Sequence, residues 1–177
     1  GEDHRVFVCM RYWNPMSEAV AKEVAAWQPD EIVLLPLYPQ FSTTTTESSL
    51  ADWRRHGLDT PCAVVGCYPT QDGLVRAHAE SLAATLEGIE APRVLFSAHG
   101  LPEAVVARGD PYQWQVEQTA AAVVEALGIG GLDWAVCYQS RVGRRRWIGP
   151  SIDDEIRRAG SDGVPLVILP IAFVSEH

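Results

Sequence analysis

The sequence predicts an α/β fold. Short continuous apolar runs alternate with longer amphipathic stretches, and the turns between them carry residues that stop strands and start helices. The apolar runs are residues 6–10, 32–35, 63–65, 94–96, 135–137 and 166–169. None shows the apolar/polar alternation of a half-exposed strand, so all six read as parallel strands covered on both faces. Right-handed crossovers would then gather the loops that follow the strands along one edge of the sheet.

The helices announce themselves at their ends. Asn14-Pro15 and Asp110-Pro111 each read as a capping side chain followed by proline at the first helical position, where a missing N–H costs nothing. Behind Asp110, the residues Val116, Ala120, Val123, Val124 and Leu127 recur at helical spacing until Gly128 stops the run. Further helices are expected over residues 73–86 and, entered through Gly149-Pro150, over 151–158. Two strands precede Pro61, too few for an independent sheet, and four follow it. The chain therefore reads as an internal piece of a larger two-domain protein, with residues 1–61 left from one half and 62–177 forming the other.

Composition narrows the function classes. The 177 residues are 47% apolar and 21% charged, and 23 acidic against 14 basic side chains give a net charge of −9. Such a balance argues against nucleic-acid binding, which needs clustered cations. A local exception is the run Arg141, Arg144, Arg145 and Arg146, which reads as a solvated loop or as a surface for anionic groups on a ligand or lipid. Cys9, Cys62, Cys67 and Cys137 lack the spacing of a zinc or disulfide framework and are expected as reduced thiols, Cys9 and Cys137 within strands. No signal peptide is expected, and no apolar run comes near the ~20 residues of a membrane span. A cytoplasmic protein is expected, with peripheral membrane contact left open.

Chemistry concentrates after the strands. Ser97-Ala98-His99-Gly100-Leu101-Pro102 puts an imidazole at the carboxyl end of the fourth apolar run, the edge at which open parallel sheets bind ligands. Four further segments fall on the same rim: Arg11-Tyr12-Trp13-Asn14-Pro15, residues 36–44 around Tyr38, Ser42 and Thr43, residues 138–143 with Trp147 behind them, and residues 170–177 with Glu176 and His177. Aromatic faces, hydroxyls, an arginine, two histidines and a carboxylate suit a large flat apolar ligand with anionic edges. His4, His56 and His78 lie in polar stretches and are expected to be exposed without a role.

These segments, in this order, resemble the ferrochelatase family over essentially the whole chain. The resemblance rests on Arg11-Tyr12 with Pro15, Tyr38-Pro39-Gln40-Phe41-Ser42, Ser97 to Pro102, Gly109-Asp110-Pro111-Tyr112, Tyr138-Gln139-Ser140 with Val142-Gly143 and Trp147, and Pro170-Ile171-Ala172-Phe173. It implies a chelatase-like fold of two Rossmann-like parallel-sheet halves with a ligand cleft between them, the first half incomplete here. It also implies insertion of ferrous iron, as substrate, into a porphyrin. His99 matches the family's active-site histidine, and Glu176-His177 match the pair just before its catalytic glutamate, which is expected two residues past His177. The family's first porphyrin-holding lip is expected before Gly1, and the piece alone is expected to be inactive. Three departures stand out: Glu47 where Gly is common, expected to point outward from its helix; Arg141 where Lys is common; and Arg144 to Arg146 in place of a proline-containing stretch.

The chemistry is consistent with these residues. Metal insertion removes two pyrrole protons and brings Fe²⁺ to a bent ring. A neutral imidazole, with an unperturbed pKa near 6.5, suits both steps, and the sequence leaves open whether His99 is proton acceptor or metal ligand. Glu176 is the candidate carboxylate for metal. Tyr12, Tyr38 and Trp147 are candidate apolar walls, and Arg11, Ser42 and Thr43 are candidate holders of propionates. Two other readings compete: a cobalt or nickel tetrapyrrole chelatase, and a non-catalytic porphyrin-binding module. A nucleotide-binding α/β module lacks support, because no glycine-rich phosphate loop is present.

Overall fold

The computed structural model describes residues 4–174. The chain divides into two compact units, Gly1–Pro36 with Ser42–Gly66, and Leu37–Phe41 with Cys67–His177.

In the first unit, α1 (Ser17–Trp27), β1 (Ile32–Leu34), α2 (Thr46–Arg54) and β2 (Cys62–Val64) follow one another. β1 and β2 pair in parallel, Val33 opposite Ala63, and the ladder is extended by Ile32 N–H to the Pro61 carbonyl and Val65 N–H to the Leu34 carbonyl, each 2.9 Å. Helix α1 buries Ser17, Val20, Ala21 and Val24. It begins two residues beyond Pro15, with Met16 at the cap and no side-chain hydrogen bond, so Asn14 does not cap it.

The expected first strand does not form. Residues 4–9 join no ladder, and the single bridge nearby runs from Met10 to Met16. A strand needs a neighbour to satisfy its backbone. Here Val6 is 91% and Val8 64% exposed, while Phe7 turns inward to meet the Trp27 ring at 6.1 Å. Cys9 is accordingly exposed rather than in a strand, and all four thiols are free.

The second unit carries β3 (Arg93–His99), β4 (Asp133–Gln139) and β5 (Leu166–Pro170), with α3 (Asp72–Leu86), the short α4 (Glu103–Val106), α5 (Tyr112–Leu127) and α6 (Ile152–Asp162). The strand order is β4-β3-β5, all parallel. This sheet has three strands where four were expected, because residues 62–64 pair with β1 instead. Strand β3 lies in the middle, and Val94, Leu95, Phe96 and Ala98 are completely buried. That is why its sequence is apolar without alternation.

The core joins β3 to Leu82 of α3 and to Val116, Ala120 and Val123 of α5. Helix α5 starts where Asp110 Oδ1 accepts the Tyr112 N–H at 3.0 Å, and stops where Gly128 turns left-handed at φ 65°. Gln71 caps α3 by accepting the Leu74 N–H at 2.9 Å. Helix α6 runs past the expected 158 because no residue turns the backbone before Gly163, at φ 67°. At the amino end of the sheet, buried Arg93 donates to Asp133 of β4 and to Asp162 at the end of α6, both at 2.7 Å. Burial pushes the Cys137 thiol up to about 12. Among the described residues no helix is long and apolar enough to cross a membrane.

His78 departs from its expected exposure. It is half-buried on α3, its Nε2 has no hydrogen-bond partner among the described residues, and burial holds its imidazole below the usual histidine range. Protonation therefore favours the unfolded chain. As pH falls through the unfolded value of about 6.5, the unfolded state takes up a proton that the folded state does not, and stability drops until the folded value is reached. Unfolding midpoints between pH 7.5 and 5.5 should fall less for His78→Leu than for the parent, within a window set by about one unit either side of that reference pKa.

Candidate active site

His99 is the last residue of β3, in register with Gln139 of β4, and it is exposed although the six residues before it are buried. The strand thus delivers an imidazole out of the core. Beneath it the buried Tyr112 phenol is hydrogen-bonded to the His99 backbone, and burial pushes the phenol's ionisation up. The sequence marks Tyr112 as part of the segment Gly109-Asp110-Pro111-Tyr112, without a role at the site. Its signal was its place directly after Asp110-Pro111.

The loop after His99 is stitched to the loop after β4. Gly100 N–H donates to the Gln139 carbonyl at 2.8 Å, Ile148 N–H to the Leu101 carbonyl at 2.9 Å, and Glu103 N–H to the Arg146 carbonyl at 3.0 Å. Pro102 and Trp147 form a bridge, and the Trp147 indole N–H closes its own loop on the Val142 carbonyl at 3.2 Å. Glycine at position 100 makes this approach possible. A Cβ there would sit 3.0 Å from the Gln139 carbonyl oxygen and 3.4 Å from Trp147 Cε3. His99 and Trp147, two of the residues singled out from sequence, are thereby neighbours in one framework.

Tyr38 belongs to the same unit and is half-buried on a turn fixed from three sides. Gln40 Nε2 donates to Thr119 Oγ1 at 2.9 Å and to the Ile171 carbonyl at 3.1 Å, Phe41 N–H donates to Gln115 Oε1 at 2.7 Å, and Tyr68 N–H to the Pro39 carbonyl at 2.8 Å. The turn is an anchor for α5 as much as a loop.

Arg11, Tyr12, Ser42 and Thr43 lie in the first unit. Arg11 stacks over the Tyr12 ring at 4.5 Å, donates from Nε to Ser48 Oγ at 3.1 Å and lies 3.8 Å from Asp52. Tyr12 is 72% exposed. Asp52, which drew no attention in the sequence, gathers Ser17, Arg55 and Arg11; the Ser17 hydroxyl foremost holds its carboxyl below the usual range, with the two guanidiniums adding to it. Ser42 is fully buried, its hydroxyl joined to Thr44 Oγ1 at 2.8 Å at the start of α2, while Thr43 is exposed. Glu47 pairs with Arg54 of the same helix at 2.9 Å. Glu176 and His177 lie outside the described residues. Among the described residues no three His, Cys, Asp or Glu side chains gather to hold a metal ion.

A family model described as ferrochelatase matches residues 1–177. The chain belongs to the ferrochelatase family. It is 55% identical over 184 residues to a ferrochelatase of Caulobacter vibrioides, an alignment covering 100% of this chain and 52% of that relative. A ferrochelatase of Phenylobacterium zucineum is 54% identical over 98% of this chain and 51% of its own length. One from a Wolbachia of Drosophila simulans is 46% identical over 98% of this chain and 58% of its own length. The chain thus spans about half the length of the curated relatives it matches. The mixed α/β fold with parallel sheets agrees with this membership.

Gly100→Ala should disturb the site more than its size suggests. The added methyl meets backbone that already accepts the Gly100 N–H, so either β4 or Trp147 must give way. A loss of about 1–3 kcal/mol in unfolding free energy is expected, accompanied by a changed Trp147 fluorescence signal. Unchanged stability and emission would show that the two loops are not locked together there.

Proposed function

We propose that the protein, at the family's full length, inserts ferrous iron into a porphyrin to form haem, and that His99 is the group nearest the chemistry. The observation that carries the reading is an imidazole exposed at the carboxyl end of the central parallel strand, on a loop held by backbone hydrogen bonds. Family membership supports the reaction class, and the names of the relatives agree with it. The two Rossmann-like halves belong to the same proposal, with residues 62–66 counted in the first because β2 pairs with β1.

Insertion exchanges two pyrrole N–H protons for one Fe²⁺, so two protons must leave the ring as four nitrogens close on the ion. A neutral imidazole takes a proton through its free nitrogen or lends that lone pair to the metal on its way in. Placing the imidazole in advance lowers the ordering entropy the reaction must meet, and β4 and the stitched loop hold the His99 backbone. Glu176 is assigned the companion carboxylate, drawing the cation in or carrying protons out. Trp147 and Tyr38 supply flat apolar surface, Tyr12 a further aromatic face, and Arg11, Ser42 and Thr43 polar contacts to carboxylate edges.

The experiment is His99→Ala in a chain of full family length. Its side chain lies outside the core, so the fold should persist while porphyrin metallation falls by a factor of roughly a hundred or more, the usual scale for removing an acid–base group. Porphyrin absorbance followed before and after ferrous iron separates the readings: binding with no metallation by the unmodified protein would favour a carrier. Brisk metallation by a folded His99→Ala variant would remove His99 from the mechanism.

A further inference from the structure

We propose that the arginine loop between β4 and α6 is an encounter surface that steers the carboxylates of an incoming porphyrin toward His99, an inference that rests on the iron-insertion reading. Arg141, Arg144, Arg145 and Arg146 are all exposed, in a chain whose net charge is −9. Among the described residues Arg141, Arg144 and Arg145 make no ion pair, while Arg146 reaches Glu103 at 3.3 Å. In the acidic first turn of α6, which follows, Asp154 is paired to Arg157 at 3.1 Å and Glu155 to Arg158 at 2.9 Å, and among the described residues Asp153 makes no ion pair with the loop.

The loop is also fixed in place. One end is tied to the His99 loop through the Gln139 carbonyl and Gly100 N–H, the other through the Arg146 carbonyl and Ile148 N–H, and Arg141 Cγ lies 3.7 Å from where a Gly100 Cβ would be. The guanidiniums are therefore carried on the same framework as the imidazole. Val142, 72% exposed among them, adds apolar surface.

Charge decides what such a patch attracts. An acidic protein repels a carboxylated ligand at long range, and a local cluster of cations reverses that field where the ligand must arrive. An extended polyanion or an anionic lipid surface would meet the acidic remainder of the molecule as well. A compact ligand with a few carboxylates meets the loop alone.

The test is porphyrin association in stopped flow, followed by porphyrin fluorescence without iron, in a chain of full family length. R144S/R145S is compared with the parent at about 0.01 M and about 1 M salt, where the Debye length is about 30 Å and about 3 Å. The variant should associate about three-fold or more slowly at low salt, the two rates should converge at high salt, and R144K/R145K should keep the parent's rate because steering needs charge rather than a guanidinium fork. In turnover, the loss should fall on kcat/KM rather than kcat. Equal rates at low salt would overturn the inference and leave the iron-insertion reading standing, as would loss of the rate in the lysine variant. A parent protein that binds no porphyrin would overturn both.

Discussion

The hydrogen-bonding of β3 on both sides governs what the second unit can do. A strand flanked by two parallel neighbours has no free edge, and helices α3 and α5 bury its side chains, so its path leaves little freedom. Ser97 is the last residue paired to both neighbours: β5 ends opposite it at Pro170, and the Ile171 N–H still donates to the Ser97 carbonyl at 3.1 Å. Within the sheet, Ala98 and His99 are then paired to β4 alone. The imidazole thus stands where the ladder thins from two sides to one, reachable yet attached to the most constrained part of the sheet.

The loops divide the remaining work. Backbone groups do the fixing, through Gly100, Leu101, Glu103 and Ile148. Leu101 and Ile148 turn their side chains into the core, while Arg141 and Arg144 to Arg146 are left to face outward. Backbone hydrogen bonds survive substitution, so the arginines of residues 141–146 could replace a different sequence without disturbing the frame. In the first unit the balance is reversed: Arg11, Ser17, Ser48, Asp52 and Arg55 hold one another through side chains, and order there depends on which residues are present.

Much of this was legible in the sequence where a physical signal is local. Strands β3, β4 and β5 were marked by unalternating apolar runs, and α5 by its spacing, its aspartate and its terminal glycine. That the loops carrying His99 and Trp147 lie together was legible because loops after parallel strands share an edge. What failed was non-local. Residues 6–10 have the composition of a strand and no partner, and residues 62–64 are a strand whose partner is β1 rather than β3, neither of which composition reveals. Helix α4, four residues long, is too short to show a period. The burial of Ser42 was hidden because a run of hydroxyls looks solvated until Thr44 is seen to answer it, and Asp52 looked like any helical surface acid.

Arg93 and His99 lie at opposite ends of β3 and, six residues apart, on the same side of it, with Leu95 and Ser97 between. Arg93 grips a carboxylate on the neighbouring strand and another at the end of α6, so it sets where β3 begins relative to its surroundings. Successive side chains of a strand point to opposite faces, and slippage by one residue would turn the imidazole to the wrong side. The ion pairs at the base therefore act as the zero mark of a ruler about 20 Å long, six steps of roughly 3.3 Å, on which the position of the imidazole is read off.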